Sequence, residues 1–114
     1  MKQLGDDAEA LAANYLQSQG LSLLASNYRC RFGEIDLIMQ QGNSIVFVEV
    51  RMRSQATYGG AAASINLPKQ QKLIRTAEHF LQQHGHQAAC RFDAVLLTGL
   101  NSNHIEWIQD AFGA

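Results

Sequence analysis

At 114 residues, with 46% hydrophobic and 17% charged side chains, the chain has the size and composition of one globular domain and not of a disordered segment. A chain of this length buries roughly two-thirds of its extended surface on folding, enough to be stable without a metal or disulfide staple. Its net charge of −1 hides an uneven distribution: residues 29–75 hold seven of nine basic side chains and three of ten acids, giving +4, and the remainder carries −5. This asymmetry fits a basic face around a small acidic centre, and equally fits chance clustering of solvated charges.

The N-terminal MKQLGDDAEA has acidic residues where a secretory leader needs an apolar run. No stretch approaches the roughly 20 apolar residues of a membrane span. Cys30 and Cys90 lack CxxC spacing and read as reduced, buried thiols. The expectation is a soluble, cytoplasmic protein.

The first element reads as a helix over about residues 5–19. Ala8, Leu11, Ala12, Tyr15 and Leu16 recur at the helical period, and Gly20 stands where a C′ residue belongs. Two strands follow, about 33–40 and 44–51, around a tight turn at Gln41-Gly42-Asn43-Ser44. The second, SIVFVEV, shows no polar alternation until Glu49, which predicts burial on both faces. TYGGAAASI (57–65) reads as a loop beside the site. Pro68 opens a second helix, about 67–84, with an apolar stripe of Leu73, Ile74, Ala77, Phe80 and Leu81. A strand RFDAVLL (91–97) and a short one near HIEWI (104–108) close the chain. The order α-β-β-α-β-β predicts an α/β fold with a mixed sheet flanked by helices.

The hairpin makes a specific geometric prediction. With Gln40 opposite Ile45, paired residue numbers sum to 85, so Asp36 faces Glu49 and Glu34 faces Arg51, all on one sheet face. Opposed carboxylates destabilise a sheet unless one is protonated or a cation lies between them. Mg²⁺ is a natural candidate, being held by one or two carboxylates plus waters and phosphate oxygens. Glu9, beside the buried stripe of the first helix, can point toward the hairpin as a third acid. The bland alternatives are a Glu34–Arg51 ion pair, separate hydrogen-bond partners for Asp36 and Glu49, and for Glu9 a favourable place in a helix's first turn.

The helix Glu9, the acidic strand GEIDLI (33–38) and the strand FVEVR (47–51) together resemble the PD-(D/E)xK restriction-endonuclease-like superfamily, within it the archaeal Holliday-junction resolvases. Nearly the whole chain resembles the YraN family, placed in that superfamily. The stretches that carry this are GDDAEALAANYL (5–16), YGGAAASI (58–65), KQQKLIRTAEHFL (69–81) and RFDAVLL (91–97). The resemblance implies a single restriction-endonuclease-like domain over residues 1–114. It implies Glu9, Asp36 and Glu49 as metal ligands for Mg²⁺ or Mn²⁺, with Asp36, Glu49 and Arg51 catalytic. Arg51 stands where the superfamily has lysine, and arginine clamps anions but does not exchange a proton. Lys72, or with less weight Lys69, could supply an ammonium from the second helix.

The implied activity is divalent-metal-dependent hydrolysis of DNA phosphodiesters, branched or structured DNA included. Arg29, Arg31, Arg53, Lys69, Lys72 and Arg75 would contact backbone phosphates. The alternatives are an inactive nuclease-fold module that binds nucleic acid or a protein partner, and a structural domain. Resolvase-like relatives also suggest a homodimer. Elsewhere Asp93 reads as a buried, hydrogen-bonded acid, Trp107 and Tyr15 as core, and His79, His84 and His86 as helix-end polar groups without metal spacing. Tyr58-Gly59-Gly60 is a weak substrate-loop signal, and no GxGxxG or GKS phosphate cradle occurs.

Overall fold

The computed structural model describes residues 4–52, 65–84, 89–98 and 104–113. Helix α1 (Leu4–Ser18) leads into β1 (Ser22–Cys30), β2 (Gly33–Gln41) and β3 (Ser44–Met52), followed by α2 (Leu67–His84), β4 (Cys90–Leu97) and β5 (Ile105–Phe112). The strands form one sheet in the order β1-β2-β3-β4-β5, antiparallel except where β3 runs parallel to β4. The mixed sheet with flanking helices agrees with the expectation from sequence. The element order gains one strand, β1, and β5 runs beyond the predicted 104–108.

β1 escaped the sequence reading for physical reasons. SLLASNYRC has no β-branched residue and no clean alternation, because this is an edge strand that leaves most of its side chains in water. Its pairing with β2 shifts register between Leu23 and Ala25, and Asn27 sits at φ 53 within the strand.

The sheet is packed on both faces. Ala8, Ala12, Ala13 and Leu16 of α1 cover Leu37, Met39, Val46, Val48, Val95 and Leu97. The three alanines remove bulk from that helix face and let the backbone lie close. On the opposite face Leu73, Ala77 and Phe80 of α2 cover Ile35, Ile38, Ile45, Phe47, Phe92, Ala94 and Leu96. β3 therefore supplies both cores, as its unbroken apolar run predicted.

Local hydrogen bonds close the C-terminus of α1, where Gly20 was expected, and the N-terminus of α2, where the sequence reading had named only Pro68. Gly20, at φ 97, takes the left-handed position after α1, and the amides of Gly20 and Leu21 close back on the carbonyls of Gln17 and Leu16. Asn66 caps α2, its Oδ1 accepting the Lys69 amide at 2.9 Å. Among the described residues no helix is long and apolar enough to cross a membrane. The cysteines correct their expectation: both are free thiols, but Cys30 is half-buried and Cys90 exposed.

Asp93 is 1% exposed on β4. It accepts hydrogen bonds from Trp107 Nε1 and the Asp110 amide, each at 2.9 Å, and from the Arg91 guanidinium. Asp110, at φ 55, lies where β5 shifts register against β4, so this carboxylate pins the bulge.

Candidate acidic site at a strand split

The β2–β3 ladder keeps the predicted register from Gln41–Ser44 through Gln40–Ile45 to Leu37–Val48, and there its paired residues end. Asp36 then does not face Glu49 as a ladder partner. Its carboxylate takes the place of a main-chain acceptor, with Oδ2 receiving the Val50 amide at 2.8 Å. Alternation breaks at the same point, since Ile35 and Ile38 both join the core under α2. The expected Glu34–Arg51 pairing is likewise replaced. Glu34 pairs across β1 with Arg29, Nε to Oε2 at 3.0 Å, and both side chains are mostly in water.

The split gathers charge from both sides of the sheet. Asp36 interacts with Glu9 of α1 and with Glu49 of β3. Glu49, 5% exposed, meets Lys69 Nζ at 3.1 Å and Arg51 Nε at 3.3 Å. Lys69, which the sequence reading had placed behind Lys72, is the lysine within ion-pair distance of Glu49. The Asn66 cap holds the Lys69 backbone at the start of α2, which aims its side chain at the split. Lys72, one turn further on, is exposed and lines a shallow recess with Gly33, Glu34, Lys69 and Leu73.

Two carboxyls brought together under cover resist ionising. Burial is the main cause that raises Asp36 above its ordinary range; the Glu9 charge adds to it, and the Val50 amide opposes it. Glu49 is pushed up to about 7, first by burial and then by the Asp36 charge, with Lys69 pulling the other way. A cation is the natural counterpart of such a pair, and Lys69 and Arg51 provide one on the Glu49 side. Among the described residues no three His, Cys, Asp or Glu side chains are gathered as one metal cage. The donor set fits an ion that takes one or two carboxylates and fills its other positions with water or substrate oxygens, which is the habit of Mg²⁺. It does not fit a closed site built wholly of protein ligands.

The profile of the Uncharacterised protein family UPF0102 matches residues 8–97. The chain belongs to this family. A UPF0102 protein of Methylobacillus flagellatus is 72% identical over 114 residues, covering 100% of both chains. A UPF0102 protein of Nitrosomonas europaea is 61% identical, covering 95% of this chain and 92% of its own. The UPF0102 protein YraN of Escherichia coli is 51% identical over 97% of this chain and 85% of its own. The UPF0102 match spans both carboxylates of the split, Glu9, Arg51 and Lys69.

The remaining predicted residues scatter. Arg31 and Arg75 line a separate cleft with Phe32, Glu78, His79 and Gln82. Arg53, His86 and the Tyr58-Gly59-Gly60 loop lie outside the described residues. Sequence reasoning missed the Val50 amide as a partner of Asp36; no side-chain pattern reveals a main-chain donor.

Proposed function

We propose that this UPF0102 protein is a divalent-metal-dependent nuclease acting on DNA, with its centre at the β2–β3 split. The observation that carries the reading is half-buried Asp36 beside buried Glu49, with the Lys69 ammonium at 3.1 Å from Glu49. The resemblance to the PD-(D/E)xK superfamily calls for two strand acids and a lysine. Lys69 answers the absent strand lysine from α2, at the place where Arg51 leaves a guanidinium.

Asp36 and Glu49 would hold Mg²⁺ or Mn²⁺, and Glu9 would support the site through Asp36. When bound, the ion supplies charge stabilisation at phosphate and a more acidic water. The protein groups have separable tasks. The Val50 amide fixes the Asp36 carboxylate. Lys69 keeps positive charge beside Glu49 and could orient a nucleophilic water. Arg51 presents a planar donor to a phosphate oxygen but holds its proton. Lys72, exposed on the next turn of α2, offers a point charge to the adjoining phosphate.

The test is titration calorimetry of Mg²⁺ and Mn²⁺ into wild type and into Asp36→Asn/Glu49→Gln, beside cleavage assays on linear and branched DNA. Metal binding that the variant loses, with metal-dependent cleavage, establishes site and enzyme together. No wild-type binding up to about 10 mM, with or without DNA, sinks the reading. Lys69→Met is expected to lower turnover about 100-fold while leaving DNA affinity within a few-fold, the pattern of a group used in the chemical step.

One observation favours a second reading, an inactive nuclease-fold module that binds nucleic acid. Glu49 already has two protein cations, Lys69 and Arg51, within ion-pair distance. That reading predicts unchanged DNA binding in Asp36→Asn/Glu49→Gln and no cleavage by wild type with either metal.

A further inference from the structure

The turn between β1 and β2 carries Arg31 and Phe32 against the flank of α2, where Arg75, Glu78, His79 and Gln82 form the facing wall of an open cleft. Its side chains are arranged as a stack. The Arg31 guanidinium carbon lies 4.8 Å above the Phe32 ring centre, and the His79 ring meets Phe32 edge-on at 6.2 Å. A hydrogen bond of 2.6 Å between Tyr28 OH and His79 Nδ1 fixes the imidazole plane. Among the described residues no carboxylate is in ion-pair range of Arg31 or Arg75.

We infer that this cleft binds an unstacked base together with its phosphate, and so takes single-stranded nucleic acid. Duplex backbone alone would call for cations and would have no use for a half-buried phenyl ring. The Glu78 carboxylate and the Gln82 amide suit the hydrogen-bonding edge of a base. Bases stack on aromatic rings and on guanidinium planes, and here one lies upon the other. Arg75 and Arg31 supply the phosphate contact.

The cleft is joined to the acidic site by α2 itself. Lys69, Lys72, Arg75 and His79 follow one another along one flank of the helix, a path of about 15 Å at 1.5 Å per residue. A strand whose phosphate lies at the split would have a base in the cleft a few nucleotides away. That placement rests on the nuclease reading; the occupancy of the cleft is tested without it.

The experiment measures fluorescence anisotropy of a labelled oligothymidylate of about 12 nucleotides in EDTA, against a duplex of equal length and an abasic oligonucleotide with the same phosphates. Wild type is expected to bind the single strand more tightly than the duplex and to lose at least about fivefold on the abasic strand. Phe32→Leu loses as much on the intact strand and no longer distinguishes it from the abasic one. Arg75→Gln, on the exposed helix flank, weakens both strands alike and lowers the salt dependence. Asp36→Asn/Glu49→Gln retains the wild-type pattern, so loss of the metal site and loss of the cleft are read separately. Equal wild-type affinity for intact and abasic strands overturns the inference. So does a folded Phe32→Leu that still discriminates. Should Phe32→Leu not fold, the wild-type comparison decides alone.

Discussion

With its carboxyl pushed up to about 7, Glu49 in the folded chain keeps a proton at pH values where an ordinary glutamate, at 4.5, has lost it. The folded state therefore binds more protons than the unfolded one between those values, and stability must fall as pH rises through that window. The cost is absent below about pH 4.5 and complete above about 7. A rise of this size corresponds to about 3 kcal/mol at most. Asp36 is raised too and adds a cost of the same sign. Thermal melts in EDTA are expected to show wild type losing stability from about pH 5 to about pH 8, with Glu49→Gln following a flatter course. Parallel pH profiles would contradict the assignment. On the nuclease reading, Mg²⁺ raises the melting temperature more at the higher pH, where both acids are ionised. Asp93 presents the opposite case, a buried acid fully supplied with donors. Asp93→Ala strands Arg91 and the Trp107 and Asp110 donors, and is expected to cost about 3–5 kcal/mol in urea titrations. Glu34→Gln, in an exposed pair with Arg29, should cost less than about 1 kcal/mol.

Among the elements, the β2–β3 hairpin shows how far periodicity reaches. Turn residues and a run of apolar side chains were enough to set the register from Gln41–Ser44 to Leu37–Val48. They could not reveal where the ladder stops, because that is decided by the Asp36 side chain taking the Val50 amide. Substitution can separate this structural task from the charge. Asp36→Asn keeps an acceptor oxygen for Val50 and relieves a half-buried charge, so its stability should equal or exceed wild type wherever the Asp36 carboxyl is ionised. Asp36→Ala leaves the Val50 amide without its acceptor and is expected to lose about 1–3 kcal/mol by denaturant melts. If Asn were as damaging as Ala, the amide contact would not be what matters. Helix α2 shows a second limit. Its span was legible from Pro68 and the apolar stripe, yet Lys69 and Lys72 look alike on a helical wheel until the Asn66 cap and the docking angle single out Lys69. β1 was invisible because an exposed edge strand is under no demand to alternate.

At the scale of the molecule, the site draws on both helices and on the central strands. Glu9 comes from the helix on one face, Lys69 from the helix on the other, and the split lets them meet around Asp36 and Glu49. The acids were readable in sequence because their strands were. Their convergence was only partly readable, since it depends on a break in the sheet and not on its regularity. The charge asymmetry of residues 29–75 was readable as composition but not as a surface. Among the described residues it divides into the α2 flank, the Arg31–Phe32 turn, Arg51 beside Glu49 and an Arg29–Glu34 pair that spends its charge locally.

The parallel pairing of β3 with β4 also bears on how the chain finds this structure. Along that ladder 45 residues separate the partners at either end, Ile45 from Cys90 and Met52 from Leu97, whereas β1, β2 and β3 are joined by short turns. Closing the long segment costs chain entropy before any contact repays it, so the three-stranded meander should form early and the return of β4 should follow. β5, attached to β4 by a local connection, adds last. In stopped-flow refolding, Met39→Ala in the meander is expected to act mainly by slowing folding. Phe112→Ala, at the far end of β5, should act mainly by speeding unfolding. The reverse partition would mean that the terminal strands nucleate the chain, and that the hairpin bearing Asp36 and Glu49 is completed only after them.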